Sequence, residues 1–506
     1  MKLKMYFLLI FLIVASCNKE KKVVVKKAKP NIVFIFTDDQ TYSSIHALGN
    51  LEISTPTMDK MVKEGTTFTH AYNMGSWSGA VCAASRAMLN TGRFVWRANK
   101  FRQNWVKKDT ITYKKSWAKL MESKGYDTYM TGKWHVDAPA YKLFQKTVHI
   151  RPGMPGDAWG YFKMLAKFDS ISKIKGANSA DIMPNGYNRP QNKNDTTWSP
   201  TDTSKGGFWK GGKHWSEVLK DDAITFIDEA KTKENPFFMY LAFNAPHDPR
   251  QAPQEYQDMY SLENISVPKS FLPEYPFRHD IGDGDDLRDE ALAPFPRTEY
   301  AIKVHTKEYY ASISHVDAQI GKIIEALKKS GKMDNTYIFY TADHGLAMGR
   351  HGLLGKQNLF DHSIRPPLVI IGPDIPKDKR SDADVYLQDI MATALDLAGV
   401  EKPEYVEFNS FLDIAKGQSE KSNYKAIYGA YLNLQRMIRK DGFKLIVYPE
   451  IEKVLLFDLK NDPEEMNDLA TNAKYKDKVK KMFKDLIKLQ TEMDDPINLS
   501  GIYTKL

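Results

Sequence analysis

Charged side chains follow four short apolar runs, each at the point where a predicted strand ends. In an open α/β sheet, ligands bind beyond the carboxyl ends of the parallel strands, so residues at these positions meet at one edge. A single Asp after a strand commonly forms a turn or caps a helix, but four such clusters together indicate a binding site. The clusters are Asp38-Asp39, Gly132-Lys133-Trp134-His135, Asn244-Ala245-Pro246-His247-Asp248 and Asp343-His344-Gly345.

The side chains in these clusters fall into two chemical groups. Asp38, Asp39 and Asp343 offer hard oxygen donors, which suit Ca²⁺ or Mg²⁺. A divalent cation ringed by cationic side chains suits a substrate with a negatively charged, oxygen-rich group such as sulfate or phosphate. The side chains that can hold such an anion and transfer protons are Lys133, His135, His247 and the later Lys356.

Cys82 stands at the start of a predicted helix over residues 83–90. Backbone N–H groups at a helix N-terminus stabilise anions and lower the pKa of a thiol, and Arg86 follows about one turn later, within reach of the same point. A cysteine nucleophile of the tyrosine-phosphatase type needs Arg six positions after the cysteine, but Met88 occupies that position. The other use of the thiol is covalent conversion of the cysteine.

These residues require strands and helices that carry them to one edge of a sheet. The predicted strands are nearly continuous in apolar character, as strands buried on both faces are, and helical patterns lie between them. We therefore predict an α/β fold with a central, mostly parallel sheet flanked by helices. The predicted strands are residues 32–37, 126–131, 237–243, 337–341 and 368–371, and the predicted helices are residues 57–64, 115–124, 216–230, 306–330 and 386–398.

Two regions depart from this pattern. Residues 145–213 are rich in Gly, Asn, Asp, Lys and Pro, which predicts a long irregular stretch. We interpret residues 30–404 as a catalytic α/β domain and residues 405–506 as a small C-terminal α+β subdomain. The subdomain contains predicted strands at 426–431, 443–449 and 453–459 and a predicted helix near 474–493.

The N-terminus resembles that of an exported bacterial lipoprotein. A positively charged start precedes the apolar run 5–15, which is too short to span a bilayer, and Val14-Ala15-Ser16-Cys17 resembles a lipobox. We predict a signal peptide over residues 1–16, lipidation of Cys17 and a basic tether over residues 17–29. This places the protein in the periplasm or outer membrane of a Gram-negative bacterium, anchored to the membrane by its lipid. An ordinary signal peptide cleaved nearby is the alternative.

Charge and cysteine content narrow the possible functions. The chain of 506 residues has a formal net charge of +9, but residues 18–30 alone hold six Lys and one Glu. The rest of the chain has little excess of positive charge, so we expect no nucleic-acid partner. Once Cys17 is lipidated or removed, Cys82 has no partner for a disulfide within the chain, and a lone thiol in an exported protein needs a use.

The residues around Cys82 are similar to the signature of the formylglycine-dependent sulfatases. Cys82-Ala83-Ala84-Ser85-Arg86, followed after four residues by Thr91-Gly92-Arg93, resembles the family pattern C-x-P-S-R-x-x-x-x-T-G-R, with Ala84 in the place of Pro. The four strand-end clusters, Gly355-Lys356 and a C-terminal segment over residues 456–470 appear in the family's order. The resemblance covers about residues 30–475 and implies an alkaline-phosphatase-like fold.

The resemblance also implies a role for each site residue. A maturase converts Cys82 to formylglycine, whose hydrate is both the nucleophile and a metal ligand. Arg86 braces this side chain, His135 acts as the base, and His247 or Lys356 protonates the departing alcohol. The sulfate is bound by Lys133, His247 and Lys356, and the calcium site is completed by Asp38, Asp39, Asp343 and His344.

The implied activity is the hydrolysis of sulfate esters on carbohydrates. The expected substrates are oligosaccharides from sulfated marine algal polysaccharides, such as ulvan or carrageenan. Three alternatives stay open: a glycosaminoglycan sulfatase, a phosphonate monoester or phosphodiester hydrolase with the same nucleophile, and a glycan-binding protein that has lost catalysis. The intact set of nucleophile, arginine, lysines and histidine argues against the last of these.

Two positions depart from the family pattern. Arg350 stands where the family often has Glu, and Phe360-Asp361 replaces a common Tyr-Glu pair. We expect these residues at the rim of the pocket, where they would influence the choice of substrate more than the type of reaction.

Overall fold

The computed structural model describes residues 28–155, 188–205, 207–285 and 287–506, together with residues 166 and 170. The predicted signal peptide, Cys17 and most of the predicted tether lie outside the described residues, as does much of the region 145–213. Within the described part, no helix is long and apolar enough to cross a membrane.

The strands form where the apolar runs predicted them, and several short strands are added. They are β1 (Asn31–Thr37), β2 (Thr66–Phe68), β3 (Ala71–Tyr72), β4 (Gly75–Ser76), β5 (Asp127–Lys133), β6 (Lys146–Arg151), β7 (Trp209–Lys210), β8 (Lys213–His214), β9 (Phe237–Ala242), β10 (Thr336–Ala342), β11 (Leu368–Ile371), β12 (Lys379–Ser381), β13 (Val385–Tyr386), β14 (Ile427–Tyr431), β15 (Gln435–Lys440), β16 (Phe443–Tyr448) and β17 (Lys453–Asp458).

The helices of the described residues flank these strands. They are α1 (Pro56–Glu64), α2 (Val81–Thr91), α3 (Val95–Val106), α4 (Thr110–Tyr113), α5 (Trp117–Glu122), α6 (Ala140–Leu143), α7 (Trp215–Ala230), α8 (Gln254–Gln257), α9 (Glu299–Lys329), α10 (Asp361–Ile364), α11 (Asp389–Leu397), α12 (Leu412–Ala415), α13 (Lys476–Glu492) and α14 (Ser500–Tyr503).

An eight-stranded sheet in the order β12-β2-β11-β10-β1-β9-β5-β6 forms the centre of the fold among the described residues. The five strands from β10 to β6 run parallel to one another. Alternate residues of β1 pack on opposite faces: Phe34 and Phe36 join a core cluster with Trp117 of α5, whereas Val33 and Ile35 pack in the cluster that contains α1, α7 and α9. Burial on both faces explains why β1 lacks polar alternation.

A second sheet, in the order β17-β16-β15-β14-β4, contains the C-terminal strands. Its first four strands are antiparallel neighbours, but β14 pairs in parallel with β4, which lies only a few residues before Cys82. The apolar face of this sheet shares one core cluster with Met88 of α2 and with Phe483 of α13. The C-terminal sheet therefore supports the helix that contains the cysteine.

Some sequence predictions were wrong in detail. The mostly parallel sheet is confirmed, and β11, whose direction the sequence did not specify, runs antiparallel to both β10 and β2. Helix α9 starts at Glu299 rather than at residue 306, because Thr298 caps its N-terminus by accepting the N–H of Ala301. The stretch from residue 145 was predicted to be irregular, yet β6 forms there as a partly exposed edge strand beside β5.

Candidate active site

The acidic residues meet because β1 and β10 are adjacent parallel strands that end together. Thr37 pairs with Ala342 at the last position of the two strands, so Asp38-Asp39 and Asp343-His344 leave the sheet at the same edge. The backbone N–H of Asp39 donates to Asp343 Oδ1 at 3.2 Å, and Asp39 adopts a positive φ of 63°. The predicted convergence of these carboxylates is thus present in the structure.

The cationic residues reach this edge from β5 and β9. Lys133 is the last residue of β5, and its Nζ forms an ion pair with Asp38. Gly132 precedes it with a φ of +91°, and a Cβ at this position would lie 1.9 Å from the Ala242 carbonyl oxygen. Only glycine therefore allows β5 and β9 to approach at this point. His247 follows β9, and its Nε2 lies 3.8 Å from Asp39 Oδ2.

Cys82 is the second residue of α2 and is only 3% exposed. Its Sγ lies 3.2 Å from His135 Nδ1. Burial opposes ionisation of the thiol, but the positive charges of Lys133 and His135 outweigh burial and hold the pKa of Cys82 well below its usual value. The structure thus brings the predicted nucleophile and the predicted base into contact.

Arg86 lies one turn after Cys82 and ties α2 to two strands. Its Nε donates to Asp343 Oδ2 at 3.0 Å, and its Nη1 donates to the Lys133 carbonyl at 2.8 Å. The guanidinium also stacks over Phe36, with 4.6 Å between the charged carbon and the ring centroid. Arg86 is completely buried, so in this structure it positions the N-terminus of α2 against the carboxylates.

Two groups of side chains offer the donor atoms of a metal site. Asp38, Cys82, Asp343 and His344 place one ligand atom each within 4.8 Å of one another, and Asp38, Asp39 and His247 form a second, overlapping group. Asp38 Oδ1 and His344 Nε2 are buried and have no hydrogen-bond partner, which is costly unless something else satisfies them. These orphaned atoms fit a bound cation.

The electrostatics of the carboxylates support the same interpretation. Burial, reinforced by the charge of Asp343, raises the pKa of Asp38 to about 7. Burial also raises the pKa of Asp39 to about 6, although Lys356 opposes the shift. A divalent cation bound between these carboxylates would displace their protons. Its positive charge would stabilise the ionised forms of Asp38 and Asp39 at this edge of the sheet.

Lys356 and His247 complete the cationic side of the site. Lys356 Nζ lies 2.8 Å from both carboxylate oxygens of Asp39, and although burial opposes its charge, Asp289 and Asp39 hold its pKa above the usual value. Burial and the charge of Lys356 lower the pKa of His247 well below its usual value. His247 is therefore neutral, and its Nδ1 donates to the Asp248 carbonyl at 2.7 Å.

A cavity of about 520 Å³ opens above this cluster. Cys82, His135, His247 and Lys356 lie in its wall, whereas Asp38, Asp39 and Asp343 are fully buried beneath them. Sequence reasoning missed the other lining residues, among them three with polar side chains, which are Arg288, Asp289 and Gln357. Gln357 directly follows Lys356, but no pattern in the sequence marks Arg288 or Asp289.

The two positions that depart from the sulfatase pattern do not lie where we expected. Arg350 lines a separate cleft together with Ser43 and Glu464, and Asp361 is ion-paired with Lys444 below the C-terminal sheet. Neither residue is among those lining the Cys82 cavity. The prediction that they form its rim is wrong: Lys356 and Gln357 of this segment line the cavity, whereas Arg350 and Asp361 on either side of them face other partners.

Fold and site together define a class of hydrolase in which a parallel sheet presents acidic and cationic side chains to an anionic ester. The family model described as "Sulfatase" matches residues 30–400. A second model, described as "N-sulphoglucosamine sulphohydrolase, C-terminal", matches residues 349–492. The chain therefore belongs to the sulfatase family and is a sulfuric ester hydrolase with the alkaline-phosphatase-like α/β fold that its sequence predicted.

Similar proteins cover nearly the whole chain. A protein named "Sulfatase" from Formosa agariphila is 29% identical over 94% of this chain and 90% of its own length. The "N-acetylglucosamine-6-O-sulfatase" of Bacteroides thetaiotaomicron is 26% identical, with 95% of this chain and 89% of that protein covered. The "Ulvan-active sulfatase" of Formosa agariphila is 25% identical, with 97% and 87% covered.

Solved structures show the same fold. A structure in complex with its substrate D-glucosamine-2-N,6-O-disulfate has a TM-score of 0.68 at 23% identity, covering 92% of this chain and 99% of the other. A phosphonate monoester hydrolase from Silicibacter pomeroyi also has a TM-score of 0.68, at 18% identity, covering 92% of this chain and 96% of the other. The fold thus hosts both sulfate and phosphonate esters as substrates, and the choice between them depends on the site.

Proposed function

We propose that this chain hydrolyses sulfate esters on carbohydrates, on oligosaccharides derived from sulfated polysaccharides, with a formylglycine made from Cys82 as the nucleophile. The observation that carries this proposal is the contact between Cys82 and His135 at the base of a cavity that Lys356 and His247 also line. The cavity presents a nucleophile, a base and cationic groups to one anionic ester.

The names of similar proteins support a carbohydrate substrate. Among them, one acts on ulvan and one on N-acetylglucosamine 6-sulfate groups by their printed names. These names point to algal and amino-sugar substrates alike, so the sugar itself is a matter for experiment.

The donor set favours Ca²⁺ as the metal. Asp38, Asp39, Asp343 and His344 would hold the ion together with an oxygen of the converted Cys82. A bound Ca²⁺ would lower the pKa of a hydroxyl group and offset negative charge in the transition state.

The chain's own residues account for the remaining chemistry. One hydroxyl of the hydrated formylglycine releases its proton to solvent, attacks sulfur and forms a sulfate ester, while the S–O bond to the sugar breaks and the departing oxygen takes a proton. Neutral His247 holds its proton on Nδ1 towards the Asp248 carbonyl, so Lys356 Nζ is the better placed donor. His135 then removes the proton of the second hydroxyl, the aldehyde re-forms, and the C–O bond to sulfate breaks.

The test is a panel of substrates for maturase-treated enzyme, with sulfate release as the readout. The panel contains galactose 4-sulfate, galactose 6-sulfate, N-acetylglucosamine 6-sulfate, rhamnose 3-sulfate, matching oligosaccharides and 4-nitrophenyl sulfate. We expect sulfate release from at least one sugar, loss of activity after exhaustive chelation and recovery with Ca²⁺. Peptide mass analysis that finds Cys82 as an unaltered thiol in active enzyme would refute the proposal.

A phosphonate monoester or phosphodiester hydrolase is the second candidate, because the solved phosphonate hydrolase matches the fold as well as the sugar-bound structure does. Kinetics on 4-nitrophenyl sulfate and bis(4-nitrophenyl) phosphate side by side distinguish the two. A higher kcat/KM for the phosphodiester would favour the second candidate.

We also propose that the protein is exported and held at the membrane through lipid on Cys17, in the periplasm or outer membrane. The support is the residue pattern at positions 14–17. Metabolic labelling with a fatty acid tests this proposal, and Cys17→Ser should abolish the label.

A further inference from the structure

The cavity above Cys82 extends beyond the groups that act on the sulfate. Its volume of about 520 Å³ lies within the range of roughly 300–1,000 Å³ typical of pockets that enclose a small-molecule ligand. Pro152, Met154, Pro155 and Leu287 form an apolar wall, whereas Arg288, Asp289 and Gln357 form a polar wall. The proposed mechanism uses none of these three polar side chains.

The polar wall directly adjoins the residues that would hold the ester. Arg288 Nη2 lies 3.4 Å from His247 Nε2, and Asp289 Oδ2 lies 3.8 Å from Lys356 Nζ. Arg288 also pairs with Asp248, next to His247. A sugar carbon attached to the departing oxygen would therefore lie beside Arg288 and Asp289.

This wall is held rigidly in relation to Lys356. Asp289 Oδ2 accepts the Gln357 side-chain amide at 2.5 Å, and the same amide reaches the Gly79 carbonyl near the start of α2. The next residue, Glu290, is buried and accepts the backbone N–H groups of Leu354 and Gly355 at 3.0 and 2.7 Å. Such support is what a preorganised binding site requires.

The two charged residues offer complementary hydrogen-bonding groups. Arg288 can only donate, and an ionised Asp289 can only accept. Burial opposes ionisation of Asp289, but Arg288 and Lys356 outweigh it and lower the pKa of Asp289 to about 2. Each carboxylate oxygen has lone pairs to spare beyond its present partners.

We propose that Arg288 and Asp289 form a sugar-recognition subsite that binds a free hydroxyl group of the ring that carries the sulfate ester. Asp289 accepts a hydrogen bond from the hydroxyl group and Arg288 donates one to the hydroxyl oxygen, while the ring packs against the apolar wall. A second sulfate at that ring position would be repelled by the negative charge of Asp289. The subsite therefore selects sugar rings on which this position carries an uncharged hydroxyl group. This inference rests on the proposed function.

The experiment compares kcat/KM for 4-nitrophenyl sulfate, which has no ring hydroxyl, with kcat/KM for the panel sugar that is hydrolysed fastest. Because the aryl ester cannot use the subsite, the ratio of sugar to aryl activity isolates its contribution. We expect Asp289→Ala and the isosteric Asp289→Asn to lower this ratio by roughly 10- to 100-fold, as loss of a hydrogen bond to a charged group would.

Two variants serve as controls. Asp285→Asn changes a half-exposed carboxylate in the same loop that pairs with Arg278 instead, and it should leave the ratio unchanged. Lys133→Ala should lower both activities together, since the sulfate is common to both substrates. An unchanged ratio in both Asp289 variants would overturn the subsite.

The outcomes separate this inference from the proposed function. Activity on 4-nitrophenyl sulfate with no sugar hydrolysed would refute the carbohydrate substrate and the subsite together. Sugar hydrolysis with an unaffected ratio would refute the subsite alone.

Discussion

Two buried clusters of charge among the described residues differ in their surroundings: one lies beneath a cavity and offers the donor atoms of a metal site, whereas the other consists of direct ion pairs. The Cys82 cluster (Asp38, Cys82, Arg86, Lys133 and Asp343) contains Asp38 Oδ1 and Arg86 Nη2, which are buried without a hydrogen-bond partner. It also lies beneath an open cavity. These properties make it a site that needs ligands.

The Lys444 cluster (Asp361, Lys444 and Glu465) lies between β16 and α10. Lys444 is completely buried, and its Nζ donates to Asp361 Oδ1 at 2.5 Å and to the Leu359 carbonyl at 3.1 Å. It also lies 2.8 Å from Glu465 Oε1, and Glu465 Oε2 accepts the backbone N–H of Asp361. Here both carboxylates form ion pairs with one buried ammonium, although Glu465 Oε1 makes no hydrogen bond, so we interpret this cluster as structural. The comparison teaches that burial of charge alone does not identify a functional site.

The largest effect should come from the first cluster. Cys82→Ala removes the proposed nucleophile and should lower kcat for sulfate release by roughly 10⁴-fold or more, while the melting temperature changes little. Sulfate release and thermal unfolding check the two halves of this expectation. Activity within tenfold of the unsubstituted enzyme would break the distinction between the clusters.

Lys444→Met should show the opposite behaviour. Removal of one partner from a buried ion pair leaves uncompensated carboxylates and costs about 3–5 kcal/mol in the free energy of unfolding. Urea unfolding measures this loss, and kcat/KM per folded molecule should be unaffected. Lys488→Met, at a side chain that is 64% exposed, is the matched control and should cost little. Equal effects of the two substitutions would contradict the structural interpretation.

A smaller effect on activity is expected from Gly153→Ala. A Cβ at Gly153 would lie 2.6 Å from His135 Cε1, so the imidazole that contacts Cys82 must shift. A displacement of this size should lower kcat by roughly 10- to 100-fold with little loss of stability. Gly501→Ala, where a Cβ meets nothing within 4 Å, controls for the added methyl group. Unchanged kcat in Gly153→Ala would show that His135 does not act on residue 82.

The smallest effect, taken per pH unit, concerns the pH dependence of stability. Burial, despite Lys444, raises the pKa of Glu465 to about 7. A raised carboxyl pKa stabilises the fold most below the unfolded value near 4.5, and this contribution disappears as the pH rises through 7. Between pH 4.5 and 7, the stability of the parent protein should therefore fall relative to Glu465→Gln, by at most about 1.4 kcal/mol per pH unit. Urea unfolding at pH 5, 6 and 7 measures this slope, with Glu464→Gln as the control. If the free energies of unfolding of the parent protein and Glu465→Gln changed in parallel with pH, the raised pKa of Glu465 would be contradicted.

Much of the sheet was predictable because its strands are buried on both faces. The apolar runs predicted β1, β5, β9 and β10 to within two residues at each end, since continuous burial leaves a continuous pattern. β6 (KTVHIR) was missed because none of its residues is fully buried and because the segment that it begins is rich in Gly, Asn, Asp, Lys and Pro. β4 was missed because two residues carry no periodicity.

The direction of β11 and the partner of β4 could not be read from local pattern. An apolar run of four residues fits either direction of a strand, and the choice depends on the turn that precedes it. The wrong placement of Arg350 and Asp361 has a similar cause: the segment between β10 and β11 brings Lys356 and Gln357 to the cavity but not these two residues, and only the folded path of the loop decides which side chains face it.

The sequence by itself determined which residues are candidates for the site: the cysteine signature, the carboxylates after β1 and β10, and the lysines and histidines at the ends of the other strands. These candidates could be found from local sequence, because the residues that end a strand or begin a helix lie next to one another in the chain. Only the tertiary structure decided that Cys82 contacts His135, that Arg86 binds Asp343, and that Arg288 and Asp289 line the cavity. Such contacts join residues tens to hundreds of positions apart, and packing of the whole chain sets their distances.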